Sequence, residues 1–289
     1  MSPARTDLGG LLARCTFPPA AVAGVSGGAD SMAMLVLAVE AGCAVTVVHV
    51  DHGLRPGSAT EAGVVAAVAA ELGVPFRAER VVVEPGPNLE ARARDARRAV
   101  LGPGAMTGHT TDDQAETLLL QLVRGAGTSG LAGIRPGPEK PILGLRRSET
   151  RALCAERGIA VVEDPSNTDP AFRRNRVRAE VLPLLDDVAG RDTAVLLARA
   201  AALLDDDDRF LDELAAALDP TDARALTVAP AVLARRAVRR WLAAERPPYP
   251  PDLATVDRVL AVARGEARAT DVGGGARVLR TEGRLRIGR

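Results

Sequence analysis

The stretch VAGVSGGADSMAML, residues 22–35, sets two adjacent glycines and three short polar side chains between two apolar runs. The apolar residues at 20–26 predict a strand, and the pattern from Ser31 to Ala41 predicts a helix. A glycine-rich turn between a strand and a helix exposes backbone N–H groups, and the helix dipole there favours an anion. The stretch therefore predicts a phosphate site, with an ordinary strand-to-helix turn as the alternative.

The succession of a strand and a helix recurs along the first part of the chain. The strand candidates lie at 20–26, 43–50, 75–83 and 104–108, and a helical pattern follows each of them. Asn88 is the expected cap of the third helix, and Thr110 or Thr111 that of the fourth. Strands that alternate with helices form βαβ units, so the sequence predicts an α/β fold with a doubly wound parallel sheet.

The character of the sequence changes near residue 190. Beyond it, helical spacing continues without strand candidates until a short β segment at 276–288. We therefore expect a larger domain over residues 1–190, which carries the phosphate site, and a second, smaller, mainly helical domain over residues 191–289.

Charge and cysteine usage narrow the class of protein. Basic and acidic residues number 37 each, so the net charge is zero and only a local cluster of charge can indicate a nucleic-acid partner. The three cysteines are isolated, which argues against a zinc ribbon or a disulfide scaffold and indicates a reducing compartment. No long apolar segment occurs, so we expect a cytoplasmic protein with no membrane partner.

Polar clusters follow the predicted strands where each strand ends. They lie at 26–31, 49–55 and 107–114, and they include all the histidines of the chain, His49, His52 and His109. Ligands bind outside the carboxyl ends of the strands in an open parallel sheet. The three segments are therefore expected to converge on one site, in which His49 is expected to be structural because strand alternation turns it into the packing of the sheet.

The six residues SGGADS at 26–31 match SGGxDS, the signature of the N-type ATP pyrophosphatases or PP-loop family. The GxxxxGKS/T pattern of other nucleotide loops is absent, and no GxGxxG pattern follows the first predicted strand. Four further segments resemble, in order and spacing, the tRNA(Ile)-lysidine synthases: HVDHGLR at 49–55, NLEARARDAR at 88–97, TGHTTDDQAETLLLQLVRGAGTSGL at 107–131 and EDPSNTDPAFRRNRVRAEVLPLL at 163–185. The helical remainder resembles the tRNA-binding extension of the shorter family members.

The resemblance implies a ligase that modifies the wobble cytidine of tRNA(Ile) with a CAU anticodon. In that family ATP adenylates the C2 oxygen of the base with loss of pyrophosphate, and free L-lysine then displaces AMP to form lysidine. The implied cofactors are ATP and Mg²⁺, the implied partners are this tRNA and lysine, and the family precedent is a homodimer.

The resemblance also implies which loop residues hold the phosphates of ATP. They are Ser26, Gly27, Gly28, Ala29, Asp30 and Ser31. Asp30 is the unusual member, because a carboxylate beside phosphates is repelled unless a cation lies between them. A Mg²⁺ ion that bridges the carboxylate and the phosphate oxygens would resolve this repulsion, and a helix N-cap role is the alternative.

The residues implied to act in catalysis are Asp30, Asp51, Arg94, His109, Asp112, Glu116 and Arg174. Asp51 is expected to orient the reacting groups or a metal, with a hydrogen-bonded Asp–His pair as the alternative. His109 is expected to contact the nucleotide or to help transfer a proton. Asp112 begins a helix, so a favourable interaction with its dipole is an alternative. Glu116 lies one turn on from Asp112, on the same face, and is expected near the ammonium of the incoming lysine.

The third helix carries Arg94 and Arg97 one turn apart, and the family uses this pair to support ATP or the transferring AMP. The alternative is a surface ion pair between Glu90 and Arg94. Two positions depart from the family pattern, since Thr110 replaces a second histidine and Arg98 replaces a tyrosine.

Two arginine clusters are expected to contact tRNA, with an ordinary solvated surface as the alternative. The clusters are Arg173, Arg174, Arg176 and Arg178, and Arg235, Arg236, Arg239 and Arg240. Arg174 and Arg178 match the RNxxR pattern of the family and are expected to gate the site or touch the anticodon loop. Each phosphate contact would make binding depend on salt. The acidic run Asp205–Asp208 is expected to face away from the RNA.

Three other functions compete with this interpretation. A tRNA thiolase shares the fold, but paired cysteines are typical of that class and are absent here. A metal-dependent phosphohydrolase would use HVDH and GHTTDD as ligands and would not need SGGADS. An inactive tRNA-binding protein would bind without forming AMP.

Overall fold

The computed structural model of the chain describes residues 7–51, 53, 58–82, 89–245 and 251–288. The expected cap Asn88, the last residue of the third strand candidate and His52 lie outside the described residues. The chain divides into two compact units, one up to Leu203 and one from Leu204. The helix that begins at Thr193 continues to Ala216, so the division lies within a helix. The boundary near residue 190 stays a prediction.

The first unit is built from parallel strands and helices in alternation. Its strands are β1 (Ala20–Gly24), β2 (Ala44–Asp51), β3 (Phe76–Arg80) and β4 (Met106–Thr107). Its helices are α1 (Leu8–Leu12), α2 (Ala29–Glu40), α3 (Ser58–Glu71), α4 (Leu89–Leu101), α5 (Thr111–Val123), α6 (Thr128–Leu131), α7 (Arg147–Glu156), α8 (Arg173–Arg176) and α9 (Leu182–Ala189). A 3₁₀ turn covers Pro165–Thr168, and a π-helical turn covers Val177–Val181.

The strand order β3-β2-β1-β4, with every neighbouring pair parallel, confirms the predicted α/β fold. The chain moves outward from β1 through β2 to β3 and then crosses back to place β4 on the other side of β1. The direction of winding therefore reverses between β1 and β4. The crevice beyond the carboxyl ends of these two strands is where such sheets bind ligands.

Helix α2 fixes the position of the predicted phosphate loop. Every residue from Ser31 to Ala38 is buried, so the helix is covered on all sides, as an apolar sequence without an exposed face requires. It packs against β2 and α7. Because α2 lies in the core, the loop at its N-terminus cannot shift without disturbing that core.

Gly108 lets the segment after β4 lie directly against the start of α2. A Cβ at this position would lie 2.7 Å from the carbonyl oxygen of Asp30 and 2.8 Å from the backbone nitrogen of Ser31. Backbone atoms in a buried helix cannot move aside as a flexible side chain would. The absence of a side chain at Gly108 therefore permits the two strand ends to meet.

Gly108→Ala is expected to lower the free energy of unfolding by about 1–3 kcal/mol, because it overpacks this contact. Gly63→Ala is the matched control, since a Cβ there has no heavy atom within 4 Å and helix α3 favours alanine over glycine. Urea unfolding of both variants checks the prediction. Equal stability of Gly108→Ala and the parent would contradict it.

The second unit is mainly helical and ends in a small antiparallel sheet. Beyond α10 (Thr193–Ala216), its elements are α11 (Ala223–Val228), α12 (Ala231–Glu245), α13 (Leu253–Arg264), β5 (Ala269–Asp271), β6 (Arg277–Thr281) and β7 (Arg284–Gly288). Strands β6 and β7 form the β segment predicted at 276–288. None of the described helices is both long and apolar enough to cross a lipid bilayer.

Candidate active site

The loop between β1 and α2 is held by hydrogen bonds between its own residues. The Ser31 hydroxyl donates to the carbonyl of Gly28 (2.9 Å) and accepts the N–H of Ser26 (3.2 Å). Gly27 has φ +88°, a conformation that disfavours other residues, and its carbonyl accepts the N–H of Val162 (2.9 Å). At Gly28 an added Cβ would meet, among the described residues, only the Ser26 hydroxyl, at 3.8 Å. The loop is thus packed at Gly27 and open at Gly28.

Asp30 is not the N-cap of α2, because that position belongs to Gly28, and no side chain caps the helix. The first N–H groups of a helix have no partner within the helix. The Asp30 carboxylate instead accepts the Thr150 hydroxyl and the Nε of Arg147 (3.3 Å). Burial raises the pKa of Asp30, although both of these partners act to lower it. The helix N-terminus therefore remains available to an anion.

Arg147 joins three carboxylates that come from two different elements. Besides Asp30, its guanidinium donates to Asp113 Oδ1 (3.0 Å) and to Glu116 Oε1 (3.0 Å). Burial alone would lower the pKa of Arg147, but the charges of the three carboxylates raise it. Arg147 begins α7, and Glu149 fixes this helix terminus by accepting the N–H of Arg146 (2.7 Å). The phosphate loop and α5 are connected through this one side chain.

Glu116 is fully buried and is bound by three arginines. In addition to Arg147, Arg174 Nε lies 2.6 Å from Oε2 and Arg178 Nε lies 2.8 Å from Oε1. Burial would raise the pKa of Glu116, but the hydrogen bond from Arg178 and the charges of the three arginines lower it overall. Arg178 lies in the π-helical turn, an irregularity that is frequent at functional sites. The predicted site residues Glu116 and Arg174 are therefore in direct contact.

Asp112 and Asp113 both contact Arg147, but in different ways. The Asp113 carboxylate pairs with the guanidinium of Arg147 (3.0 Å), which Glu116 also binds. The Asp112 carboxylate pairs with Arg146 (2.9 Å) and accepts the backbone N–H of Arg147 (2.8 Å). Residues three and four apart on a helix lie on one face, so the expectation that Asp112 and Glu116 face the same way stays a prediction. The catalytic assignment of Asp112 stays a prediction, and its contacts position Arg147.

His109 lies after β4 and belongs to a hydrogen-bonded chain. Its Nδ1 is 2.9 Å from the Thr107 hydroxyl, which accepts from Lys140 Nζ (2.8 Å). Burial lowers the pKa of His109 to about 4; Asp113 acts in the opposite direction, and Lys140, Arg174 and Arg97 lower it further. His109 is therefore neutral near pH 7.

Positive charge from α4 lies on the same side as His109. Burial lowers the pKa of Arg97, as do the neighbouring charges of Arg94 and Arg98, and the described residues contain no ion-pair partner for it. Arg94 is exposed, so Arg97 is the more enclosed member of the predicted pair. The side chain of Glu90, the alternative partner of Arg94, lies outside the described part of the chain.

Asp51 and His49 lie on β2, next to β1. Asp51 Oδ1 accepts the N–H of Gly53 (2.8 Å), and His49 is buried with Nδ1 2.9 Å from the Val25 carbonyl. His49 thus fixes the residue that precedes the phosphate loop, in agreement with a structural role. The catalytic role of Asp51 stays a prediction.

The predicted RNA-contacting arginines differ in their surroundings. Arg174 and Arg178 form ion pairs with Glu116. Arg176 pairs with Glu180 (2.8 Å), and Arg173 is exposed. In the second unit, Arg235 pairs with Asp257 (2.7 Å), and Arg236 pairs with both Asp208 (2.7 Å) and Asp212. Arg239 and Arg240 are exposed. The stripe on α12 therefore carries less free charge than its sequence indicates, and its role in RNA binding stays a prediction.

Comparisons with known proteins indicate the family of the chain. The model of the PP-loop domain matches residues 8–185. A tRNA(Ile)-lysidine synthase from Nocardia farcinica is 45% identical, covering 89% of this chain and 86% of the relative. One from Mycobacterium tuberculosis is 44% identical, covering 76% of this chain and 74% of the relative. The chain belongs to the tRNA(Ile)-lysidine synthase family.

A solved structure supports the fold of this lysidine synthase family member. The U34-tRNA thiolase NcsA from Methanococcus maripaludis superimposes with a TM-score of 0.54 at 16% identity, over 68% of this chain and 76% of the thiolase. That structure contains an iron–sulfur cluster. Here Cys15, Cys43 and Cys154 are all free, and the described residues contain no group of three His, Cys, Asp or Glu side chains that could hold a metal ion. The likeness therefore concerns the fold alone.

Sequence reasoning missed the residues of the stretch KPILGLRRSET at 140–150. Lys140 from this stretch donates to the Thr107 hydroxyl, and Arg147 and Thr150 donate to the carboxylate of Asp30. Arg146 and Arg147 lie at the start of a helix, where the helix dipole disfavours cations. Two adjacent arginines at such a position are unusual, and this could have indicated that they bind carboxylates elsewhere in the protein.

Proposed function

We propose that this chain adenylates the C2 oxygen of the wobble cytidine in tRNA(Ile) with a CAU anticodon and then attaches free L-lysine. The observation that carries the proposal is the shared contact of Asp30, Asp113 and Glu116 with Arg147. It joins the helix N-terminus that would bind an anion to two partly buried carboxylates and the fully buried carboxylate of Glu116. Such a site suits a nucleotide phosphate and a cationic amine side by side.

The chemistry needs two displacements. The C2 oxygen of cytidine attacks the α-phosphorus of ATP, and pyrophosphate leaves. The amine of lysine then attacks C2, and AMP leaves with the former carbonyl oxygen. Adenylation makes this oxygen a good leaving group, and the protein supplies orientation and charge stabilisation.

The residues that would hold the nucleotide are those of the loop, whose open position at Gly28 admits a phosphate against the uncapped N–H groups of α2. Arg97 and Arg94 would add positive charge near its oxygens. Mg²⁺ usually keeps several waters and binds one or two carboxylates together with substrate phosphates, so Asp30 fits an ion that arrives with the nucleotide. When bound, the ion would screen the repulsion between Asp30 and the phosphates.

Glu116 and Asp113 would receive the cationic substrate. Both already hold guanidinium groups, so they accept cations in this buried setting. Binding of an ammonium would require an arginine to withdraw. Arg174 and Arg178 are the candidates, since their side chains are 26% and 32% exposed while that of Arg147 is 14% exposed.

The remaining expectations are parts of the same proposal. Arg173 and the exposed arginines of α12 would contact tRNA phosphates, a homodimer would be the active form, and the reaction would take place in the cytoplasm. The free state of the three cysteines agrees with a reducing compartment.

A single assay tests the proposed function. The protein is incubated with ATP, Mg²⁺, lysine and a tRNA(Ile) transcript with a CAU anticodon, and the nucleotide products are separated. We expect AMP and pyrophosphate in amounts that match lysine incorporation, and no incorporation into a transcript whose wobble cytidine is replaced by uridine. ADP as the product, or tRNA binding without AMP formation, would contradict the proposal and favour a phosphohydrolase or an inactive binding protein.

A further inference from the structure

The hydrogen bonds that join Lys140, Thr107 and His109 decide which ring nitrogen of His109 carries the proton. Lys140 Nζ donates to the Thr107 hydroxyl oxygen at 2.8 Å, and this oxygen lies 2.9 Å from His109 Nδ1. An ammonium is a donor only, so the hydroxyl oxygen accepts from Lys140. What remains to be decided is where the hydroxyl proton of Thr107 points.

Among the described residues, two acceptors lie within reach of that proton. One is His109 Nδ1, and the other is the carbonyl oxygen of Glu139 at the longer distance of 3.4 Å. The Glu139 carbonyl already accepts the backbone N–H of Thr107 (3.0 Å) and Lys140 Nζ (3.3 Å). A carbonyl oxygen has two lone pairs, so both are in use. The Thr107 hydroxyl therefore donates to His109 Nδ1.

We propose that Lys140 and Thr107 are positioning residues that hold His109 as the neutral Nε2–H tautomer, so that Nε2–H donates a hydrogen bond to a phosphoryl oxygen of the bound nucleotide. The identity of this acceptor rests on the proposed function. Nε2 has no hydrogen-bond partner among the described residues, so this donor is available. His109 then acts as a donor, and the alternative of proton transfer is set aside.

The surrounding charges agree with this assignment. The charges that act on His109 are those of Asp113 from α5 and of three cations, Lys140, Arg97 from α4 and Arg174 from α8. Burial and these cations keep the imidazole neutral, and the lowered pKa of about 4 also makes it a weak base. A neutral imidazole donates one N–H to an anion and carries no second, acidic proton that it could transfer to that anion.

His49 provides an internal comparison in the same protein. Its Nδ1 lies 2.9 Å from the carbonyl oxygen of Val25, which can only accept, so His49 is assigned as the Nδ1–H tautomer. The two described histidines of the first unit are therefore expected to have opposite tautomers.

Nitrogen-15 NMR of the protein labelled at histidine tests the assignment without substrate. Protonated and unprotonated ring nitrogens differ widely in chemical shift, and loss of a signal in His109→Gln identifies the residue. We expect His109 with a protonated Nε2, His49 with a protonated Nδ1, and no titration of His109 between about pH 6 and 8. A protonated Nδ1 or a doubly protonated ring at His109 near neutral pH would overturn the proposal.

Variants separate positioning from packing. Thr107→Val keeps the shape but removes the hydroxyl, and we expect His109 to become a mixture of tautomers. Lys140→Met removes a cation, so the pKa of His109 is expected to rise, whereas Lys140→Arg should retain the parent values. If the proposed function also holds, kcat should fall roughly tenfold in Thr107→Val with a smaller change in KM for lysine.

The two layers of the proposal fail in different ways. Unchanged His109 signals in both Thr107→Val and Lys140→Met would overturn the positioning roles, whatever the enzyme assay shows. The expected NMR signals together with no lysine incorporation by the parent protein would overturn the proposed function and leave the tautomer assignment intact.

Discussion

Replacing Arg147 with methionine is expected to lower the free energy of unfolding by about 3 kcal/mol and to abolish lysine incorporation. The substitution leaves the partly buried carboxylates of Asp30 and Asp113 without their main cation, while Glu116 keeps Arg174 and Arg178. Breaking a buried ion pair costs more than the pair contributes, because a desolvated charge stays behind. Because the remaining arginines compensate in part, the expected loss of unfolding free energy lies at the lower end of the range for a broken buried ion pair, about 3–5 kcal/mol.

Urea unfolding and the nucleotide-product assay measure the two effects. Arg151→Met is the matched control, since Arg151 is exposed on the same helix and surface substitutions change stability by less than about 0.5 kcal/mol. Arg147→Lys keeps one charge without the three-way contact, and we expect intermediate stability. If Arg147→Met matched Arg151→Met in stability, the central role of this ion-pair network would be excluded.

The stability loss in Arg147→Met should also depend on pH. The folded-state pKa of Asp30 is already raised by burial, and removal of Arg147 raises it further. A group with a raised folded-state pKa favours the folded state as pH falls, because the folded protein then binds the proton more readily than the unfolded chain. The difference between the parent and Arg147→Met should therefore shrink as the pH is lowered from neutral. A larger difference at the lower pH would contradict this account.

The fold and the place of the site could be predicted from local sequence patterns. The alternation of apolar strands and helices gave the parallel sheet, and SGGADS after the first strand marked its ligand-binding edge. Thr110, one of two proposed caps, is the cap of α5, and the N–H of Thr110 donates to Asp113 (2.8 Å). These features depend on residues a few positions apart, which is why a pattern in the sequence reveals them.

The contacts that organise the site join distant parts of the chain. Arg147 meets Asp30 across the sheet crevice, and no local pattern specifies which carboxylate an arginine will reach. The different partners of Asp112 and Asp113 have a similar origin. Residues at spacings of three and of four both fall on one face of a helix, so spacing does not show that Asp113 shares the Arg147 guanidinium with Glu116 while Asp112 pairs with Arg146.

The basic stripe on α12 shows the same limit in the second unit. The sequence places the apolar residues Val238 and Leu242 opposite the arginines, and both are buried. It does not show that Asp208, from a run expected to face away from RNA, is buried against Arg236. Net charge along a helix therefore overstates the charge available to a partner when a neighbouring helix carries acidic residues.

The two glycines of the phosphate loop are expected to respond in opposite ways to alanine. At Gly27 a Cβ would lie 2.7 Å from Val162 Cγ2, and φ is +88°. Gly27→Ala should therefore lose about 1–3 kcal/mol of stability through strain and overpacking. At Gly28, φ is −69° and no atom of the described residues lies closer than 3.8 Å to the added carbon. Gly28→Ala should leave stability within about 0.5 kcal/mol of the parent.

ATP affinity shows whether each glycine is required by the bound nucleotide or by the fold. Apart from the Ser26 hydroxyl at 3.8 Å, no atom of the described residues approaches an added carbon at Gly28. We infer that the phosphates occupy this space, so a methyl group there should raise the Kd for ATP at least roughly tenfold. Calorimetric titration of Gly28→Ala with ATP and Mg²⁺, alongside its urea unfolding, gives both quantities. A folded Gly28→Ala variant that binds ATP as tightly as the parent would place the phosphates elsewhere. Only a glycine required by the ligand, and not by the fold, gives normal stability together with weakened binding.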